Sequence, residues 1–382
     1  MSNSWPMVPL GEILTERQEV PPADGLAKGE IRILAKIAFD DGKIQLRTGT
    51  ETRTGMILVR PGDLVVSGIN AAKGAIAIYE DGNSEPIAAT IHYGAYIPNR
   101  ERAEVRYLWW LLRSGTFRDL LFEFVPGGIK TELKARRFLP IPIPLPPLPE
   151  QRRIVALIDE LAAKIEEARS LRQRGAEEVD AFVVSVHMHL AGKRRKRLGE
   201  IVKLDEEQVP VALNGAYPQS GVKSFGAGLF PKPAISASET TYKAFNRLYE
   251  GALVLSQVKG WEGAVAVCPA NLAGWFVSPE YRTFRCIEGE ARPRYLAALV
   301  RTEWFWERLV HATRGVGARR ERTRPEQFLN IEIPMPEFDQ QRQGEKLFGQ
   351  VDILKHLQAE TVPELDAMLP SVLDRAFKGD LL

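Results

Sequence analysis

Two hydrophobic periods share this chain, a strand period of two and a helical one near three and a half, and they alternate in the same order twice. ILAKIAF, GMILVR, DLVVSG, AIAIYE and IHYGAYI are short β-branched runs parted by Gly, Asp and Pro turns, and they predict strands. Helical spacing follows from Val105 to Leu112 and from Phe117 to Phe124, so residues 1–145 read as a mixed α and β domain. The order then returns. LYEGALVLSQV, GAVAVC and WFVSPEYRTFRC predict strands, and Pro293 to Val310 predicts a helix with room for a short kink.

A proline-rich strip closes each globular stretch, Pro140 to Pro149 and Pro334 to Pro336. Proline lacks an amide donor and fixes φ, which predicts a stiff extended connector ending where a helix begins. The first helix shows coiled-coil spacing at Ile154, Ile158, Leu161, Ile165, Ala168, Arg172, Gly175, Val179, Phe182 and Val186. Its counterpart runs Leu347, Val351, Leu354, Gln358, Thr361, Leu365, Met368 and Val372, where Pro363 and Pro370 are expected to kink or break it. Pairing the two helices antiparallel would cover both apolar stripes. The expected fold class is therefore α+β, with two tandem-duplicated heads joined by two long antiparallel helices in a coiled-coil stalk. Its segments are 1–145 (first head), 146–190 (first helix), 191–336 (second head) and 337–382 (second helical region). A stalk helix of about 37 residues would be about 55 Å long, against a B-DNA repeat of about 34 to 36 Å.

Duplication is also written in the residues. Leu10-Gly11-Glu12-Ile13 matches Leu198-Gly199-Glu200-Ile201, GDLVVSGINAAKGAIA from Gly62 matches GALVLSQVKGWEGAVA from Gly251, and Phe138-Leu139 matches Phe328-Leu329. So long a period means duplicated domains rather than a solenoid.

Charge alters this picture little, because 51 basic residues face 49 acidic ones and any nucleic-acid surface must come from local clustering. Two cysteines among 382 residues argue against a disulfide framework. Neither a signal peptide nor an apolar run long enough to span a bilayer is present, and the expected setting is cytoplasmic. Phosphate-loop, zinc-protease, CxxC and dinucleotide motifs are all missing, and no active site is found. His187 and His189 point to different faces of a helix and read as solvated or packing residues.

Positive charge does cluster at matching places. Gly127 and Gly128 with Lys130, Lys134, Arg136 and Arg137 precede the first proline strip, and Gly315 and Gly317 with Arg314, Arg319, Arg320, Arg322 and Arg324 precede the second. Glycine allows close backbone approach, and Arg forks suit phosphate or guanine O6/N7. A second loop pair follows equivalent strands, Ser67-Gly68-Ile69-Asn70 with Lys73 and Ser256-Gln257-Val258-Lys259 with Trp261. Different polar side chains on one scaffold are what two heads reading different bases require. A plain polar turn or solvated charge run is the alternative at each loop. Lys193 to Arg197 reads as a solvated linker, and Trp109, Trp110, Trp304 and Trp306 as core.

PLPPLPEQRRIVALIDEL at 144–161, its weathered repeat PMPEFDQQR and the closing SVLDRAFKGDLL resemble the specificity subunit of Type I restriction-modification systems, over essentially the whole chain. The resemblance implies a non-catalytic reader of a bipartite double-stranded DNA target. Each head is then a target recognition domain, and the helices set the spacing and dock two methyltransferase subunits. On this chain the docking positions would be Glu150, Gln151, Ile154, Ile158, Gln341 and Val351. It also implies restriction/translocase subunits as partners and S-adenosylmethionine in the methyltransferase, with no cofactor in this chain. The chain departs from the pattern where Asp339-Gln340-Gln341 replaces Pro149-Glu150-Gln151. A Type IIB-like specificity subunit, or a coiled-coil assembly scaffold, are the rival readings.

Overall fold

The computed structural model describes residues 5–49, 54–80, 85–125, 132–313 and 322–380. The chain divides into two compact units, Met1–Ser170 with Thr361–Leu382, and Leu171–Glu360. Each unit holds one head and a pair of helical segments, so the division falls inside the helices and not between globular and helical parts.

In the first unit the strands are β1 (Met7–Pro9), β2 (Leu14–Glu16), β3 (Ile33–Ile37), β4 (Ile44–Arg47), β5 (Met56–Val59), β6 (Leu64–Ser67), β7 (Ile76–Ile78), β8 (Ile87–Thr90), β9 (Tyr93–Pro98) and β10 (Pro142–Pro144). They form an antiparallel sheet β2-β9-β6-β7, a mixed sheet β4-β3-β8-β5, and the ribbon β1-β10. Strand β6 is buried on both faces. Leu64 and Val66 pack into the core under the helices, while Val65 packs into a second core with Leu34, Val59 and Ile87 from the other sheet. A strand covered on both sides has no reason to alternate, which is why its sequence is a continuous apolar run. The helices are α1 (Ala23–Ala27), α2 (Val105–Leu112), α3 (Gly115–Phe124), α4 (Ala135–Phe138) and α5 (Leu148–Ala191). Trp110 is buried as expected and donates from Nε1 to Asp159 Oδ1 at 2.8 Å.

In the second unit the strands are β11 (Arg195–Arg197), β12 (Val202–Leu204), β13 (Glu207–Pro210), β14 (Ala216–Val222), β15 (Leu229–Ser236), β16 (Ala244–Arg247), β17 (Leu253–Ser256), β18 (Val265–Val267), β19 (Phe276–Val277), β20 (Tyr281–Cys286) and β21 (Glu332–Pro334). The sheet β12-β20-β17-β18 repeats the order of the first unit's antiparallel sheet, and β11-β21 repeats its ribbon. The companion sheet is larger, β13-β16-β19-β14-β15. Leu253 and Leu255 again face one core and Val254 the other. The helix expected over Pro293 to Val310 is two, α6 (Pro293–Leu299) and α7 (Glu303–Thr313), followed by α8 (Pro325–Leu329) and α9 (Phe338–Glu360). The basic run Lys193 to Arg197 is not a solvated linker. Arg195–Arg197 is strand β11, and Arg194 and Lys196 pair with Glu337 and Glu290.

Helix α5 is 44 residues long, about 66 Å at 1.5 Å per residue. In the first unit its early turns run antiparallel to α10 (Val362–Lys378), with Arg169 Nη2 at 3.4 Å from Asp366 Oδ1 and Leu161, Ile165 and Ala168 lining one groove with Leu365 and Val372. In the second unit its late turns run antiparallel to α9, with Lys355 Nζ at 2.6 Å from Asp180 Oδ1. Four expected seam positions are corrected. Phe182 is 46% exposed and Val183 is buried in its stead; Leu347 and Leu354 are exposed, and Phe348 and Lys355 face inward; Met368 is exposed and Leu369 packs on the core. A straight helix at 3.6 residues per turn drifts from a strict seven-residue repeat, so the buried face moves by one residue over several turns. Pro363 lies in the first turn of α10, where the chain breaks, whereas Pro370 is accommodated inside that helix.

Candidate nucleic-acid interface

The turn leaving β6 is a 3-10 turn, Ala71–Lys73, whose first carbonyl comes from Asn70. Ser67 Oγ accepts the Asn70 amide at 3.2 Å, and Gly74 ends the turn at φ +85°, a conformation that favours glycine. The turn leaving β17 is built alike: Ser256 Oγ accepts the Lys259 amide at 3.3 Å, and Gly263 closes the turn Gly260–Glu262 at φ +71°. Asn70 at φ −119°, ψ 17° and Lys259 at φ −121°, ψ 16° share one backbone geometry. The two turns therefore present an amide and an ammonium from matching backbone positions.

Each turn is clamped by two other segments. Gly68 N–H donates to His92 O at 2.8 Å, and Leu133 N–H donates to Gly68 O at 2.7 Å. In the other head Gln257 N–H donates to Glu280 O at 2.9 Å, and Thr323 N–H donates to Gln257 O at 2.9 Å. The two loop sets singled out in the sequence thus meet within each head. Lys134 Nζ reaches Ile91 O at 2.7 Å and Glu132 at 2.8 Å, and Lys134 together with His92 holds the Glu132 carboxyl below the usual range. Arg136 is exposed on α4. Lys73 is exposed, with Nζ 5.8 Å from the centroid of Phe39. Lys259 lies 3.2 Å from Glu262, whose carboxyl is held low by the Ser224 hydroxyl and then by Lys259. Trp261 is 43% exposed, and exposed Arg322 pairs with Glu280 at 2.8 Å. Lys130, Arg314, Arg319 and Arg320 lie outside the described residues.

Sequence reading missed the acidic and imidazole partners, His92, Glu132 and Glu280. The signal was available, because His92 and Glu280 obey the offset that links Leu10 to Leu198, and Glu132 and Arg322 the offset that links Phe138 to Phe328. It also missed the hairpin β14–β15. This hairpin sets Phe225, 67% exposed and at φ +56°, beside the second turn through Phe225 N–H to Glu262 O at 2.8 Å.

The expected docking positions are corrected by burial. Gln151, Ile154, Ile158, Gln341 and Val351 are buried within their own units, so they are not offered to a partner. Gln151 accepts Glu104 N–H at 2.8 Å and donates to Arg102 O at 3.0 Å and Pro146 O at 2.8 Å. Gln341 accepts Arg292 N–H at 2.9 Å and donates to Glu290 O at 2.9 Å and Pro336 O at 3.4 Å. Each glutamine stitches a helix start to a head. Of the six, Glu150 alone keeps a partly exposed side chain.

Residues 5–173 match the family model described as the Type I restriction modification DNA specificity domain. The whole chain is similar in fold to two solved structures. One was determined for complex assembly and conformational transition of the type I R-M system, at TM-score 0.70 and 20% identity over 99% of each chain. The other is the HsdS subunit from Thermoanaerobacter tengcongensis, at TM-score 0.52 and 22% identity over 99% of this chain and 98% of that one. Comparison with curated proteins gives no match. Among the described residues no helix is long and apolar enough to cross a membrane.

Proposed function

We propose that the chain is the non-catalytic DNA-specificity subunit of a Type I restriction-modification complex, acting in the cytoplasm. Two tandem-duplicated heads, 1–145 and 191–336, each read one half of a split target. The helical segments 146–190 and 337–382 set the spacing and dock two methyltransferase subunits, which bring S-adenosylmethionine, and restriction/translocase subunits complete the complex. Because the docking positions inferred from sequence are buried, the docking role passes to apolar side chains left exposed on the helices, among them Leu171, Phe182, Ile353 and Leu354. The observation that carries the reading is the pair of turns with one backbone geometry and different side chains, Asn70 and Lys259. An amide suits adenine N6/N7 and an ammonium suits guanine O6/N7, so one scaffold serves two half-sites.

The test is to map N6-methyladenine in cells expressing this chain with its methyltransferase partner. A split, asymmetric motif is expected. Asn70→Ala should relax one base of one half, and Lys259→Ala one base of the other, each by about 1 to 3 kcal/mol of discrimination. Variants that lower methylation of all sequences alike would instead mark phosphate contacts.

A further inference from the structure

We propose that each head fixes the pose of its reading turn through one acid–base side-chain pair, set at corresponding positions in the two heads with the acid on opposite sides. This rests on the reading of the turns given above. In the first head His92 Nδ1 stands 2.9 Å from Glu132 Oε1; in the second, Glu280 Oε1 accepts Arg322 Nη2 at 3.2 Å and Glu280 Oε2 stands 2.8 Å from Nη1. His92 and Glu280 are 188 positions apart, Glu132 and Arg322 are 190 apart, and the acid has moved from the second position of the pair to the first. The frame around the pair has not changed. The residue whose carbonyl receives the turn's N–H, His92 or Glu280, is the same one whose side chain reaches across the turn. Its target, Glu132 or Arg322, immediately precedes the residue whose N–H returns to the turn's carbonyl. Gly68 or Gln257 is therefore held between two strips of backbone, and the side-chain pair ties those strips together.

The move of the acid decides what the pair does. A residue that touches phosphate has to stay cationic, and this position is Glu132 in one head and Arg322 in the other, so presented charge is not the property the two heads share. What they share is a link across the turn between an acid and a basic side chain. Arg322 is accordingly a positioning residue, although its charge alone suggests a DNA contact. The pairs are partly exposed, 47% and 30% for His92 and Glu132 and 46% and 31% for Arg322 and Glu280, so they can be broken without unfolding the head. Gly68 fits the tighter version of the frame, since a Cβ there would stand 2.9 Å from His92 O.

Backbone amide hydrogen exchange on the full-length chain tests the link without DNA. Glu280→Arg and Arg322→Glu should each speed exchange at the Gln257 and Thr323 amides about fivefold to tenfold, with Gly68 and Leu133 unmoved. The double variant, E280R with R322E, recreates the first head's arrangement of an acid facing a base from the other side. It should return those amides to within about threefold of the wild-type rate. Glu280→Gln, which breaks the pair without repulsion, should give a smaller change in the same direction. Double-variant amides that exchange as fast as the faster single variant, or single variants without effect, overturn the proposal. The same variants, scored by methylation mapping, separate this proposal from the reading beneath it. Relaxed second-half specificity in the single variants and its recovery in the double variant support both. Exchange that follows the pattern with methylation specificity unmoved keeps the link and removes the turn from base reading.

Discussion

Where helix meets head, each unit seats a buried tyrosine, and its hydroxyl is matched in the first unit and unmatched in the second. In the first, Tyr107 donates its hydroxyl to Pro144 O at 2.8 Å and sets its ring edge-on to Phe377 at 5.5 Å, with Leu373 in the same core. In the second, Tyr295 takes the tyrosine's place, but its hydroxyl has no hydrogen-bond partner among the described residues, nor has either ring nitrogen of His187. The imidazole is fully buried, stacked on Phe348 at 4.6 Å and edge-on to Tyr295 at 4.4 Å. An unsatisfied buried polar group costs about 1 to 3 kcal/mol, so the matched Tyr107 hydroxyl is less costly to bury than that of Tyr295. Aromatic packing holds both tyrosines, and an imidazole is buried beside the second.

The widest gap between the units should open in acid. Burial pushes the His187 pKa from 6.5 down to about 3. Below pH 6.5 the unfolded chain takes up a proton that the folded second unit refuses, so the histidine's contribution is whole above 6.5 and is lost as pH falls toward 3. At about 1.4 kcal/mol per pH unit, the second unit should lose about 3 kcal/mol by pH 4.5. Unfolding followed by hydrogen exchange in Val183 to Val186 and in Leu121 to Val125 should show that slope in the first segment only. His187→Leu copies Leu373 and should abolish it; a slope that survives the substitution belongs to another group.

The glutamine stitches give the next largest effect. Gln151→Ala leaves one buried N–H and two carbonyls without their partner, for a loss of about 2 to 3 kcal/mol. Gln341→Ala should cost less, about 1 to 2 kcal/mol, because its bond to Pro336 is stretched to 3.4 Å. Denaturant melts of the two variants compare them directly, and equal losses would show that the long bond contributes as much as the short one.

The sequence displayed these units unevenly, for physical reasons. Strand β6 was legible because two covered faces demand the unbroken run LVVS. Helices α2 and α3 were legible from their single apolar face. The hairpin β14–β15 was not: AYPQSGV and LFPKPAIS are interrupted by proline, lysine and glycine, and no residue of the second strand is buried. Gln151 and Gln341 were placed on the right helix starts but given an outward task, since a glutamine whose whole amide is matched by backbone looks in sequence like a surface residue. The seam failed at Phe182, where a strict seven-residue spacing pointed, because the drift of a straight helix turns Val183 inward in its stead. As for the interface, the turns and the stem residues Lys134 and Arg322 stood out as polar loops on matching strands. The acid–base pairs were hidden, because a search for recurring basic residues passes over a pair whose acid and base trade places.

The smallest effect is expected where the comparison comes closest to symmetry, at the ion pairs across the two helix pairs. Arg169 with Asp366 lies at 3.4 Å, its side chains 37% and 65% exposed; Lys355 with Asp180 lies at 2.6 Å, 38% and 43% exposed. Exposed pairs contribute about 0 to 1 kcal/mol, as side-chain ordering and salt screening offset most of the attraction. A double-mutant cycle at Asp180 and Lys355 should give a coupling of about 0.5 kcal/mol, the cycle at Arg169 and Asp366 less, and both should fade in 1 M salt. A coupling well above 1 kcal/mol in either cycle would mean that the helix pairs are held by charge as well as by their apolar seams. With small values, the difference between the two units reduces to what is buried beside Tyr107 and Tyr295.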